Sequence, residues 1–252
     1  MTTHTIFLPV AFILITALAS FMLIGGLTVR AKNKRTVLKT GLAILSTWLL
    51  VTGVLAWNGF YLNTEARPPR FMFTIAPMLL MILWLVTGKR QAISLAIPLR
   101  TLMLIHIIRI PVEFVLLQLY HEGKIPLLMT FEGRNFDILS GITAPIIYWL
   151  AVNQKKVNKK LLVAWNIAAL LLLLNIVINA ALSVPTPFQQ FAFDQPDVAV
   201  LMFPYVWLPS VVVPIVLYAH VVSLMKLIKA PAPAKTLIAG RAINKNELLH
   251  AE

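Results

Sequence analysis

The chain contains no cysteine. That excludes disulfides, thiolate metal sites, iron–sulfur clusters and cysteine nucleophiles. Charge is scarce as well: charged residues make up 12% of the 252 residues, against roughly 25% in a soluble domain. So few charges cannot cover a water-facing surface, which excludes a soluble enzyme, a disordered chain and a nucleic-acid-binding module. The sequence has no Walker A loop, no G-x-G-x-x-G, no H-E-x-x-H and no G-x-S-x-G. A retinal Schiff base needs a lysine in the middle of the last helix. The first lysine of the last apolar segment, Lys226, stands at its inner end. No fixed-period repeat is visible.

Apolar residues are abundant, at 59% of the chain, and the mean hydropathy is +0.84. The expected fold class is all-α: a polytopic membrane protein of seven transmembrane helices. The apolar segments are 5–29, 40–57, 71–87, 101–120, 138–152, 161–183 and 200–225. A helix needs about 20 residues to cross a ~30 Å hydrocarbon core. The third and fifth segments look short, so residues 125–131 are expected to dip into the interface ahead of the fifth. Pro77, Pro111, Pro145 and Pro214 fall near the middle of four different segments. They predict kinked helices that bow around a pocket. The chain divides into a membrane domain, 1–226, and a basic cytoplasmic tail, 227–252, with Ala230–Ala234 as a stiff Pro-containing spacer.

The placement of the charges sets the orientation. Basic residues collect in alternate connections, from Arg30 to Lys39, at Lys89, Arg90 and Arg100, at Lys155, Lys156, Lys159 and Lys160, and in the tail from Lys226 to Lys245. The opposite connections hold only Arg67, Arg70, Lys124 and Arg134, together with most of the acids. Lys and Arg accumulate on the cytoplasmic side, which puts the N-terminus outside and the C-terminus in the cytoplasm. The net charge of +13 is thus a topology signal and not a nucleic-acid signal. No basic residue precedes the first apolar run, so an uncleaved first helix is expected and not a signal peptide. The expected location is a plasma membrane, of the bacterial inner-membrane kind.

One segment carries ionisable residues inside an apolar run. His106, Arg109 and Glu113 stand at i, i+3 and i+7, one face of a helix, and Tyr120 continues the stripe. Arg109 lies near the middle of its segment, where a charge costs roughly 3 kcal/mol on insertion scales. Arg109 and Glu113, four apart, are close enough for an ion pair. One reading is a structural pair that pins neighbouring helices. The other is a functional polar site, the default for intramembrane ionisable residues. In that site Arg109 would bind an anionic or carbonyl group, and Glu113 and His106 would hold or move a proton. Tyr120 and His121, with Glu132, Arg134 and Asn135 of the loop 131–137, would form the outer mouth, with Gly133 as a hinge. Asn175, Asn179 and Ser210 lie at similar depth on the sixth and seventh segments. Asp137 and Asp197 are placed to N-cap the helices that follow.

The function expected is the binding, transport or processing of a small or amphipathic molecule, such as a lipid, quinone or carboxylate. Membrane lipids are the other expected partners; nucleic acid is not one. No metal is expected, since Glu113 is the one acid inside the apolar segments. Two alternatives stand beside this: a b-type haem electron carrier using His106 and His220, and a non-catalytic subunit or receptor that positions a protein partner. The two histidines differ in depth by about 5 Å on a straight-helix rise, where axial ligands should be level.

Overall fold

The computed structural model describes residues 4–150 and 159–229. Residues 151–158 and the tail from 230 lie outside the described residues, and with them Lys155, Lys156, the Ala230–Ala234 spacer and the distal tail lysines. Among the described residues the chain is all-helical, without a strand. The helices are α1 (His4–Val29), α2 (Lys34–Trp57), α3 (Met72–Val86), α4 (Gln91–Ala96), α5 (Leu99–Ile105), α6 (Arg109–His121), α7 (Ile138–Trp149), α8 (Lys159–Ser183) and α9 (Val213–Lys229).

Among the described residues five stretches are long and apolar enough to cross a membrane: Ile6–Val29, Lys34–Trp57, Leu99–His121, Lys159–Ser183 and Leu208–Lys229. This is the character of a helical membrane protein. The shorter apolar helices are α3 and α7. At 15 and 12 residues they extend about 22 and 18 Å at the helical rise.

Prolines shape two of the long stretches. Pro111 has no N–H to give the carbonyl of Ile107, and the stretch Leu99–His121 tightens into a 3-10 turn at His106–Ile108 between α5 and α6. Pro214 likewise leaves the carbonyl of Ser210 without its helical donor. That carbonyl accepts instead from the Trp48 indole N–H at 2.9 Å, and the backbone there widens into a π-helical turn, Leu208–Val212. The seventh apolar segment therefore does not run as a helix from residue 200. Residues 199–201 form a 3-10 turn, and the long stretch begins at Leu208, because Pro204 and Pro209 interrupt the backbone ladder.

The stretches Leu99–His121 and Leu208–Lys229 are the most enclosed of the five. α9 packs against α8, α5 and α3, α1 against α2, α5 and α6, and α7 against α5 and α6. Exposed leucines, isoleucines and phenylalanines cover the outer faces of α1, α2, α3 and α8. In water such a surface would be a large apolar patch.

The segment between α6 and α7 folds into the bundle. Ile125, Met129 and Thr130 are buried, a 3-10 turn spans Leu127–Met129, and Asn135 and Asp137 are buried as well. Gly133 lies close against the chain that precedes it. A Cβ there would run into the backbone of Leu127 and Leu128, so glycine is needed for a close approach of two backbone strands.

Candidate functional site

The site is built from α6 outward. Arg109 is 3% exposed, and a buried guanidinium must find acceptors. Its Nη1 donates to Asp137 Oδ1 at 2.7 Å and to the Ala169 carbonyl of α8 at 3.3 Å. Its Nη2 lies 2.8 Å from His220 Nε2 of α9. The ion pair of Arg109 is thus with Asp137 and not with Glu113. Asp137 does stand at the N-cap position, just before α7, but its side chain makes no capping bond, because it is turned inward to the guanidinium.

The hydrogen-bond pattern assigns the tautomer of His220. Nε2 faces a guanidinium N–H and must accept, so Nδ1 carries the proton and donates to Asn166 Oδ1 at 3.2 Å. Asn166 in turn donates to the Leu162 carbonyl at 3.0 Å, which fixes its amide orientation. Asp137, Arg109, His220 and Asn166 therefore form one chain of polar contacts through α7, α6, α9 and α8.

His106 stacks on His220, with ring centroids 4.0 Å apart and planes at 24°. Trp165 presents an edge to His106 at 5.6 Å. Neither nitrogen of His106 has a hydrogen-bond partner among the described residues. The two imidazoles face each other and do not flank a plane, so this pair lacks the geometry of axial haem ligands.

Glu113 points elsewhere. Both its oxygens accept from Asn135 Nδ2, at 2.6 and 2.8 Å. Asn135 also donates to the Met129 carbonyl at 3.0 Å, and its Oδ1 accepts from the backbone N–H of Asp137 at 3.0 Å. Among the described residues Glu113 makes no ion pair. Glu113, Asn135 and Asp137 form the polar end of a cavity of about 220 Å³. The rest of its wall is apolar, contributed by α3, α6, α8 and the start of the last stretch, with Pro209 and Pro214 among its residues. Arg109 does not border it; its fork is occupied by Asp137, Ala169 and His220. A larger hollow of about 520 Å³ lies between α2 and α3, around Trp48 and Pro77, but no ionisable side chain lines it.

The other residues singled out from the sequence do not converge on the cavity. Tyr120 is half-buried and tilts against exposed His121 at 5.4 Å. Glu132 and Arg134 are exposed. The exposed Asn175 donates to the Arg134 carbonyl at 3.0 Å, and Asn179 donates to Asn175 at 3.3 Å, so these two amides hold the loop. Ser210 is fully buried and donates within its own turn to Val206 at 2.8 Å. Asp197 is fully buried just ahead of the 3-10 turn at 199–201; burial pushes its carboxyl up to about 7, opposed by the backbone N–H of Val200.

Sequence reasoning missed Asp137 and His220 as the partners of Arg109, and Asn166 as the partner of His220. One signal was available for Asp137: an acid at the start of an apolar segment too short to reach both headgroup layers must lie deep. Asn166, a lone amide among leucines, carried no such signal.

No curated protein and no solved structure matches the chain. Residues 68–228, which hold every residue of the constellation around Arg109 and Glu113, match a family model, and the chain belongs to that family, Domain of unknown function (DUF8737).

Proposed function

We propose that this chain is a seven-span protein of a plasma membrane, N-terminus outside and C-terminus cytoplasmic, that binds a small amphipathic molecule in the cavity headed by Glu113, Asn135 and Asp137. The alternation of basic and acidic connections supports the orientation. The shortness of α3 and α7 fits a bundle in which irregular backbone at depth is buried in protein; for α7 the partly buried segment 125–137 would supply the missing thickness.

The observation that carries the binding reading is the chemistry of the cavity. One end offers hydrogen-bond acceptors, two of them carboxylates, and the remainder is apolar, as ligand pockets generally are. A carboxylate guest would meet like charge there. A guest with a hydroxyl or amine head would satisfy Glu113 and place its carbon skeleton on leucine, valine and proline. Transport or processing would follow from such binding.

The test is mass spectrometry of the small molecules that accompany the protein purified in native membrane patches, beside Glu113→Gln. Wild type should carry a discrete amphipathic species, and Glu113→Gln, accumulating normally, should lose it at least tenfold. Equal occupancy in both proteins, or bulk lipid alone in wild type, overturns the reading.

A further inference from the structure

The wall of the Glu113 cavity is not uniformly enclosed. Its polar end is deeply buried: Glu113 is 2%, Asn135 1% and Asp137 5% exposed. Two wall residues are instead exposed on the outside of the molecule, Leu79 of α3 at 45% and Leu174 of α8 at 40%. The remaining wall residues are buried or half-buried. α3 packs on α9 and α4, and α8 on α9 and α7, and both α3 and α8 lend residues to the cavity wall. Leu79 is the central residue of α3, and Leu174 lies within a turn of the centre of α8. The opening therefore sits halfway along both helices, away from their ends.

We propose that this gap is a lateral portal through which the ligand comes from the hydrocarbon of the bilayer, head first. The proposal rests on the amphipathic-ligand reading above and extends it to the route and the ligand class. A mouth at mid-helix lined by leucines faces acyl chains, not water. A molecule using it must already be dissolved in the membrane. The cavity, at about 220 Å³, is smaller than the roughly 300–1,000 Å³ of pockets that enclose a whole drug-sized ligand. It takes the head and the first carbons, and an alkyl tail leaves between Leu79 and Leu174. The ligand class is a long-chain alcohol or amine: a donor head for the Glu113 and Asn135 oxygens, and a tail that remains in lipid.

The absence of native cysteine makes the experiment direct. Leu79→Cys and Leu174→Cys are prepared singly in lipid nanodiscs, each with and without benzyl methanethiosulfonate, whose bulky disulfide adduct is removed by reductant. The probes are dodecanol and dodecylamine, each carrying a diazirine, and the readout is the rate of light-induced labelling of peptides around Glu113. Exposed Leu80→Cys and Ile167→Cys, outside the cavity wall, serve as controls. Benzylation at 79 or 174 should slow labelling at least tenfold, reductant should restore it, and the controls should not change. Labelling at the wild-type rate in each of the two benzylated single variants would overturn the portal while leaving the binding site standing. No labelling near Glu113 in unmodified protein would overturn both. The two probes read the head: alcohol labelling without amine labelling assigns a neutral donor, and the reverse a cation.

Discussion

The Arg109–Asp137 contact makes a quantitative prediction. Both side chains are nearly inaccessible, 3% and 7% exposed, with N and O 2.7 Å apart. Removing one member of such a pair leaves an uncompensated buried charge and costs about 3–5 kcal/mol, whereas replacing both by apolar residues of similar size is often neutral or stabilising. Arg109→Met should therefore lower the thermal midpoint in nanodiscs by something on the order of 10 °C, and Asp137→Leu by a similar amount. The double variant Arg109→Met/Asp137→Leu should recover most of that loss. Arg109→Lys should not substitute, because one ammonium cannot reproduce the fork that reaches Asp137 with one nitrogen and His220 with the other. The assay is the folded fraction after graded heating, read by size exclusion. The decisive comparison is Arg109→Met/Glu113→Leu. Spacing along the helix makes Glu113 the expected partner; the geometry makes it a bystander. If Glu113→Leu rescues Arg109→Met and Asp137→Leu does not, the assignment of the ion pair is wrong.

Three further outcomes follow from named contacts. A methyl at Gly141 would lie 2.8 Å from Ile110 Cγ1 and 3.2 Å from the Ile110 backbone nitrogen, so Gly141→Ala should cost about 1–3 kcal/mol, and trimming Ile110 to Ala should relieve only part of it in the same melting assay. Trp48→Phe removes the donor to the Ser210 carbonyl and should cost about 1–3 kcal/mol; in a Pro214→Ala background, where a backbone N–H returns to that carbonyl, a double-mutant cycle should show a smaller loss. Asp197 holds its proton in the folded state up to about pH 7 against an ordinary value of 3.8. Its contribution is full below about pH 4 and is lost as pH rises through 7, a decline of at most about 4 kcal/mol at roughly 1.4 kcal/mol per pKa step; in melts from pH 4 to 8, Asp197→Asn should flatten this dependence and be the more stable protein at pH 8.

Much of the helical layout was legible because hydropathy reports burial in lipid directly. All seven apolar segments contain a helix, and the short third and fifth segments are the two short apolar helices. The error at residues 200–207 has a clear cause: an apolar run records where a chain is buried, not whether its backbone is regular, and Pro204 and Pro209 sit inside that run. The site was legible to the level of its residues and not of its pairings. Helical periodicity relates Arg109 to Glu113 because they are four apart, and is silent about Asp137, 28 residues on. The depth estimate for His106 and His220 counted residues along the helix axis. It assumed straight helices, whereas a 3-10 turn rises about 2.0 Å per residue where an α-helix rises 1.5 Å, and a π-helical turn precedes α9. The two rings stack with centroids 4.0 Å apart, a separation compatible with the offset of about 5 Å that counting gives.

The sequence posed a choice between a structural ion pair and a functional site, and the geometry removes the opposition. Arg109 holds Asp137 at the start of α7. The backbone N–H of Asp137 donates to Asn135 Oδ1 at 3.0 Å, and Nδ2 of the same amide donates to both oxygens of Glu113. The cation thus acts on the cavity at one remove, by fixing the loop that carries its polar end. The link from Asp137 to Asn135 runs through the backbone, so an apolar pair at 109 and 137 that restores packing should also leave Asn135 in place. Ligand retention in Arg109→Met/Asp137→Leu should then track its recovered stability, while Asn135→Leu, which leaves the ion pair untouched, should lose the ligand without a comparable loss of folded protein. If the rescued double variant is stable but empty, the charges at 109 and 137 are needed for binding itself, and the loop is not the intermediary.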